Sequence, residues 1–332
     1  MRWILGVVAG FLLMAPPPTR ADEITVGFRE VRGVDYEGVP LELAIWYPSA
    51  TPAAPHRFGP FTQAVALDAP VIGKDLALVV MSHGSAGAPW SHYDTALALA
   101  VAGFVVVAPT HLGDTLTDRR RAAAVLDRVW HITATLDFML SRWASYDTID
   151  SHRIGLLGFS AGGFAGLVTL GGAPDFSRLI GHCQEHPAEF ACATAAPVLA
   201  EREFLEAPPT THRRDDRIRA AVIAAPALGF TFTPERLARV TVAVQLWRAG
   251  QDTVTPHPFH AEAVRQALPR PPDYRIESQA GHFDFLAPCT ARLAAVADII
   301  CRESPGFDRA AFHDRFNREV VAFFRRELEW RP

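Results

Sequence analysis

Five short apolar runs constrain this chain more than any other feature. They are LALVVMSH (76–83), FVVVAPT (104–110), RIGLLGFS (153–160), IRAAVIAAP (218–226) and VTVAVQLWRAG (240–250). Each is nearly free of charge, as expected of a strand buried on both faces of a parallel sheet. Helical patterns separate most of them. YDTALALAVAG (93–103) reads as a helix ending at Gly103, a longer pattern covers about 119–143, and FHAEAVRQAL (259–268) is a third. AFHDRFNREVVAFFRREL (311–328) is an amphipathic final helix, and LELAIWYP (41–48) alternates as a strand. Strands alternating with helices specify an α/β fold: a mostly parallel central sheet with helices on both faces. Because the 332 residues carry 49% hydrophobic side chains, the chain can fill such a core within one domain.

One segment interrupts the alternation. Residues 171–217 are rich in Pro, Ala, His and charge, and are expected to form a small inserted cap or lid. The rest of 22–332 reads as one domain. The start reads differently. Arg2 precedes an apolar run from Trp3 to Ala15, then prolines, then Ala21. That is the layout of a secretory signal peptide over 1–21, and it predicts a periplasmic or secreted protein. The run is short for a membrane span, and no later segment reads as one. The formal net charge of −4, with no basic run, argues against nucleic acid as a partner.

Four cysteines remain: Cys183, Cys192, Cys289 and Cys301. An even count in an exported chain predicts disulfides. Of three connectivities, Cys183–Cys192 with Cys289–Cys301 is the simplest. GHCQEHPAEFAC (181–192) also mixes cysteines with His182 and His186, but its spacing fits no zinc pattern. Neither metal nor organic cofactor is expected.

The chemistry centres on Gly158-Phe159-Ser160-Ala161-Gly162, a G-x-S-x-G sequence where a strand meets a helix. A nucleophile elbow needs that context. A serine hydroxyl needs a base, and in this arrangement acid and histidine follow it in that order. Asp252 follows the strand that ends at Gly250, and His282 follows another short strand. Ser160, His282 and Asp252 are therefore the expected nucleophile, base and acid. Asp284 and Asp273 are set aside as local hydrogen-bonding and turn residues, and His257 and His260 as surface residues. The oxyanion hole is expected from the backbone N–H groups of Ala161 and of Ser85, in the loop VVMSHGSAGAPW (79–90). His83 is expected to support that turn; Trp90 either lines the acyl or alcohol pocket or serves packing, two readings the sequence leaves open.

Taken together, SHGSAG, VVVAPTHLGDT, IGLLGFSAGG, VIAAPALG, AGQDTVTP and AGHFDFLAPC resemble the α/β-hydrolase superfamily. Within it the chain is similar to bacterial predicted dienelactone hydrolases, related to platelet-activating-factor acetylhydrolases. The resemblance covers most of the chain after residue 21. It implies a Ser-Asp-His esterase without metal or organic cofactor; the chain is expected to be a monomer acting on a small-molecule ester. An acetylhydrolase or lipase-type activity, or a non-catalytic binding protein on the same scaffold, remain alternatives. Two departures stand out. Dienelactone hydrolases proper use a cysteine nucleophile where this chain has Ser160. The family's arginine-proline-x-aspartate sequence is RVWH here, Arg128 to His131.

Overall fold

A computed structural model describes residues 24–199 and 214–329. The expected signal peptide, 1–21, lies outside them. So does 200–213 of the expected cap.

Among the described residues, ten strands form one sheet. They are β1 Thr25–Val34, β2 Pro40–Ser49, β3 Ala54–Phe58, β4 Phe61–Leu67, β5 Leu76–Ser82, β6 Val105–Pro109, β7 Ile149–Phe159, β8 Ile218–Ala224, β9 Ala243–Ala249 and β10 Asp273–Glu277. Their order is β10-β9-β8-β7-β5-β6-β2-β1-β4-β3. From β10 to β6 every pair is parallel. β2 joins antiparallel to β6 and to β1. The five apolar runs are β5 to β9. Along β5, Leu78 and Val80 enter one core cluster while Ala77, Val79 and Met81 enter the other, so period-two alternation fills both faces.

The longer helices are α1 Tyr93–Val101, α2 Asp127–Ser141, α3 Ala161–Thr169, α4 Ser177–Glu185, α5 Phe190–Leu199, α6 Ala261–Ala267 and α7 Arg309–Leu328. α1 and α7 cover one face, through residues such as Leu99, Phe316, Val320 and Phe324. α2, α3 and α6 cover the other, through Ile132, Leu136, Phe164 and Val264. β5 has β6 on one side and β7 on the other. The chain thus changes winding direction at β5, and a crevice opens at the carboxyl ends of β5 and β7.

The long helix is shorter than its sequence pattern. It begins at Asp127, because residues 119–126 form turns. There Arg121 N–H donates to Gly113 O at 2.8 Å, and Arg119 and Arg121 pair with Asp114 and Asp127. Both cysteine pairs are disulfides, Cys183–Cys192 and Cys289–Cys301. Among the described residues no helix is long and apolar enough to cross a membrane.

Candidate active site

β7 delivers Ser160 to the crevice, and α3 starts at the next residue. Ser160 has φ 54° and ψ −118°, a backbone conformation that costs a residue with a side chain about 1–3 kcal/mol. Its N–H donates to Ala224 O, and its carbonyl accepts from the Phe164 and Ala227 N–H groups, each at 3.0 Å. The flanking glycines permit the turn. A Cβ on Gly158 would lie 2.4 Å from Gly162 O, and one on Gly162 would lie 2.0 Å from Ser82 O.

This turn brings Ser160 Oγ to 3.0 Å from His282 Nε2. The other ring nitrogen, Nδ1, is 2.8 Å from Asp252 Oδ2. All three side chains are buried. Asp252 also accepts from the N–H groups of Val254 and Thr255 at 2.9 and 2.7 Å, and from Thr255 Oγ1 at 2.7 Å. Burial alone would raise its carboxyl. The facing His282 and the Thr255 hydrogen bonds outweigh burial and hold it down at about 2. Asp252 is therefore ionised at neutral pH.

Asp284 points elsewhere, as expected. It pairs with buried Arg309 at 2.9 Å and accepts from Gly281 N–H at 2.8 Å and Ser304 Oγ at 3.0 Å. These bonds fix the turn that carries His282. Asp273 opens β10 and accepts from Gln245 Nε2 at 3.0 Å.

On the other side of the crevice lies the loop after β5. His83 Nδ1 donates to Gly84 O at 2.7 Å, and Nε2 accepts from His111 N–H at 3.3 Å. His83 thus supports the turn, as expected. Burial, with Arg128 nearby, pushes its imidazole down to about 3, so it stays neutral. His111 contacts Ser82 Oγ at 2.7 Å through Nε2 and lies 3.3 Å from His131 Nδ1.

Sequence reasoning missed the residues that shape this loop. Arg128 donates to His83 O at 2.6 Å, Gly84 O at 3.2 Å and Asp114 Oδ2 at 2.6 Å. Asp114 in turn accepts from Ser85 Oγ at 2.9 Å and Ala86 N–H at 3.0 Å. Their signal was an arginine and an aspartate inside otherwise apolar or turn segments. Thr255 was missed too, although an aspartate followed three residues later by threonine suits a local side-chain-to-backbone turn.

Ser85, Ser160 and Ala161 line one cavity of about 270 Å³. As the first residue of α3, Ala161 has an N–H with no acceptor inside the helix. The walls are mainly apolar: Phe176, Leu179 and Phe190 from the inserted segment, and Leu228 and Val254 from loops of the sheet. Trp90 does not line this cavity; of its two expected roles, packing is the one observed. It packs against Gly59 and lines a separate groove with Phe28 and Phe58, because the loop turns away after Ala88. His260 is fully buried rather than exposed, because Glu189 of the inserted segment reaches its Nε2 at 2.6 Å. His257 is exposed, as expected.

No family model matches the chain. No curated protein matches it either. Among solved structures it is similar to a ferulic acid esterase from Streptomyces cinnamoneus, with a TM-score of 0.61 at 19% identity, over 96% of this chain and 94% of that one. The chain has the α/β-hydrolase fold. The fold explains why Ser160, Asp252 and His282, far apart in sequence, meet at one edge of the sheet: each follows the carboxyl end of a parallel strand.

Proposed function

We propose that this protein is a serine carboxylic-ester hydrolase that works through an acyl-enzyme. One observation carries the reading: the unbroken hydrogen-bonded chain from Ser160 Oγ through His282 to ionised Asp252, mounted on a strained elbow. Ser160 Oγ attacks the ester carbonyl carbon while its proton passes to His282 Nε2. The carbonyl electron pair moves onto oxygen, and the Ser85 and Ala161 N–H groups stabilise that oxyanion. Collapse of the intermediate breaks the carbon–oxygen bond. The departing alcohol takes the proton from His282. Water then repeats the sequence on the acyl-serine and releases the acid. Asp252 orients the imidazole and stabilises its protonated form.

The cavity of about 270 Å³ suits a small ester with one apolar group. Residues 171–199 serve as a cap by supplying three of its apolar walls. The two disulfides support export to the periplasm or beyond, after loss of residues 1–21. The finer placement near the predicted dienelactone hydrolases rests on the sequence resemblance. The test is a panel of p-nitrophenyl esters from acetate to palmitate, with methyl ferulate added because the structural neighbour is a ferulic acid esterase. Short-chain and aromatic esters should be cleaved fastest. If no ester is cleaved faster than by the Ser160→Ala variant, the reading is wrong.

A further inference from the structure

We propose that His182, Glu189 and His260 form a binding site for one divalent transition-metal ion, of the zinc type, between the inserted segment and the sheet domain. The three donors come from separate stretches: α4, the turn before α5, and the loop before α6. His182 Nε2 lies 2.9 Å from Glu189 Oε2, and His260 Nε2 lies 2.6 Å from Glu189 Oε1. Each imidazole thus faces a different oxygen of one carboxylate, and the donor atoms converge within 4.8 Å of one another. Two imidazole nitrogens and a carboxylate are a donor set that zinc and its neighbours favour, with a further position left for water.

The surroundings hold the donors in place. The side chains of His182, Glu189 and His260 are 8%, 4% and 0% exposed. His182 stacks on Phe230, with ring centroids 3.7 Å apart, and meets the edge of Phe259. The Cys183–Cys192 disulfide closes the loop that carries Glu189, and His182 immediately precedes it. An ion about 2.1 Å from each donor at near-tetrahedral angles sets nitrogen–oxygen separations of about 3.4 Å, so the 2.9 and 2.6 Å contacts must open by about 0.5 and 0.8 Å.

The position gives the ion a task. Leu179 and Phe190, which wall the Ser160 cavity, are sequence neighbours of His182 and Glu189. A metal bridge to His260 would fasten that wall to the sheet domain. It would supply no chemistry at Ser160, so the proposal stands apart from the esterase reading.

The test uses the whole mature chain, stripped with chelator and dialysed against zinc chloride. Bound metal is measured by elemental analysis. One zinc per chain is expected, with a melting temperature that rises with free zinc by mass action. Glu189→Gln and His260→Gln should weaken binding by more than about 10-fold to 100-fold, while Ser160→Ala should bind like wild type. Cobalt substitution gives a readout that needs no variant: the intense visible bands of a four- or five-coordinate site. If stripped wild type takes up no stoichiometric zinc and cobalt shows only its weak six-coordinate spectrum, the cluster is a hydrogen-bonded latch and the proposal falls.

Discussion

Arg128 Nη2 lies 2.6 Å from Asp114 Oδ2, and the two side chains are 2% and 5% exposed. The pair is more than a buried ion bridge. Arg128 ties down two successive carbonyls, His83 and Gly84, while Asp114 holds Ser85 Oγ and the Ala86 N–H. Four consecutive residues of the proposed oxyanion loop are thus fixed by one guanidinium and one carboxylate. Preorganised donors are what an oxyanion hole requires.

The first prediction follows from that pair. Arg128→Gln leaves buried Asp114 with only the more exposed Arg119, 3.3 Å away, as a counter-charge, which costs up to about 3–5 kcal/mol. The Ser85 N–H should also drift, lowering kcat by up to about 10²-fold with KM little changed. Arg128→Lys keeps the charge but cannot span three acceptors, and should recover stability better than kcat. Chemical denaturation and steady-state kinetics on p-nitrophenyl acetate separate the two effects. If Arg128→Gln unfolds more readily but keeps wild-type kcat, the pair is purely structural.

A second prediction concerns Gly162. A Cβ there would stand 2.0 Å from Ser82 O, which is backbone at the end of β5. Backbone of a central strand cannot swing aside as a flexible side chain can. Gly162→Ala should therefore displace the elbow, destabilise the protein by about 1–3 kcal/mol or more and reduce activity at the same time. Gly181→Ala, where an added Cβ meets nothing within 4 Å, is the control. Melting temperatures of the two variants decide the matter: equal values would mean that the elbow tolerates a methyl group.

Much of this arrangement is legible in the amino-acid sequence. Strands β5 to β9 are legible because they are buried on both faces, which leaves long runs almost free of charge, whereas parallel β10 is short, charged and half-exposed. Ser160, Asp252 and His282 are legible because the fold places such residues just after strand ends, where the sequence itself shows a run stopping. β1, β3 and β4 leave no comparable signal: they lie toward one edge of the sheet, and β1 mixes Arg29, Glu30 and Arg32 into a half-exposed pattern. The partners of Asp114 and Arg128 are hidden because they are tertiary, up to 45 residues apart in sequence. The same holds for His260, whose burial depends on Glu189, 71 residues earlier.

Acid sensitivity is the third prediction. Burial pushes His83 down to about 3, and His92 and His131 to about 4. His111 is also driven well below its usual value by burial, with Arg128 adding to the effect. Unfolded histidines titrate near 6.5, so between about pH 6.5 and 4 the unfolded chain binds protons that the folded chain refuses. Stability is therefore full above about pH 6.5 and falls as the pH drops, by up to about 1.4 kcal/mol per pH unit for each histidine. Asp94 and Asp252, held at about 2, add a further loss below about pH 4. Urea midpoints at pH 7.5, 6 and 5 should fall in that order. A midpoint that stays constant down to pH 5 would contradict the buried neutral state of these rings.

The last prediction returns to the serine between glycines. Ser160→Ala removes one hydroxyl from a buried but locally strained turn, so the fold and melting temperature should change little. Hydrolysis of a cleaved ester should fall by several orders of magnitude, because His282 and Asp252 then have nothing to activate. Residual catalysis of about 10³–10⁴ over water is expected from the remaining amides and binding. His282→Ala should cost about as much, since the groups act as one unit and their losses do not add. Thr255→Val tests the support of the acid. It deletes the 2.7 Å hydroxyl bond to Asp252 Oδ2 but leaves the carboxylate paired with His282, so it should lower kcat far less than Asp252→Asn does. A fluorophosphonate probe reads the nucleophile without a substrate. It should label wild type once, at Ser160, and label Thr255→Val more slowly than wild type. Ser160→Ala should take no label. If it is labelled at another serine and keeps wild-type hydrolysis, the strained turn at Ser160 serves the fold and not the chemistry.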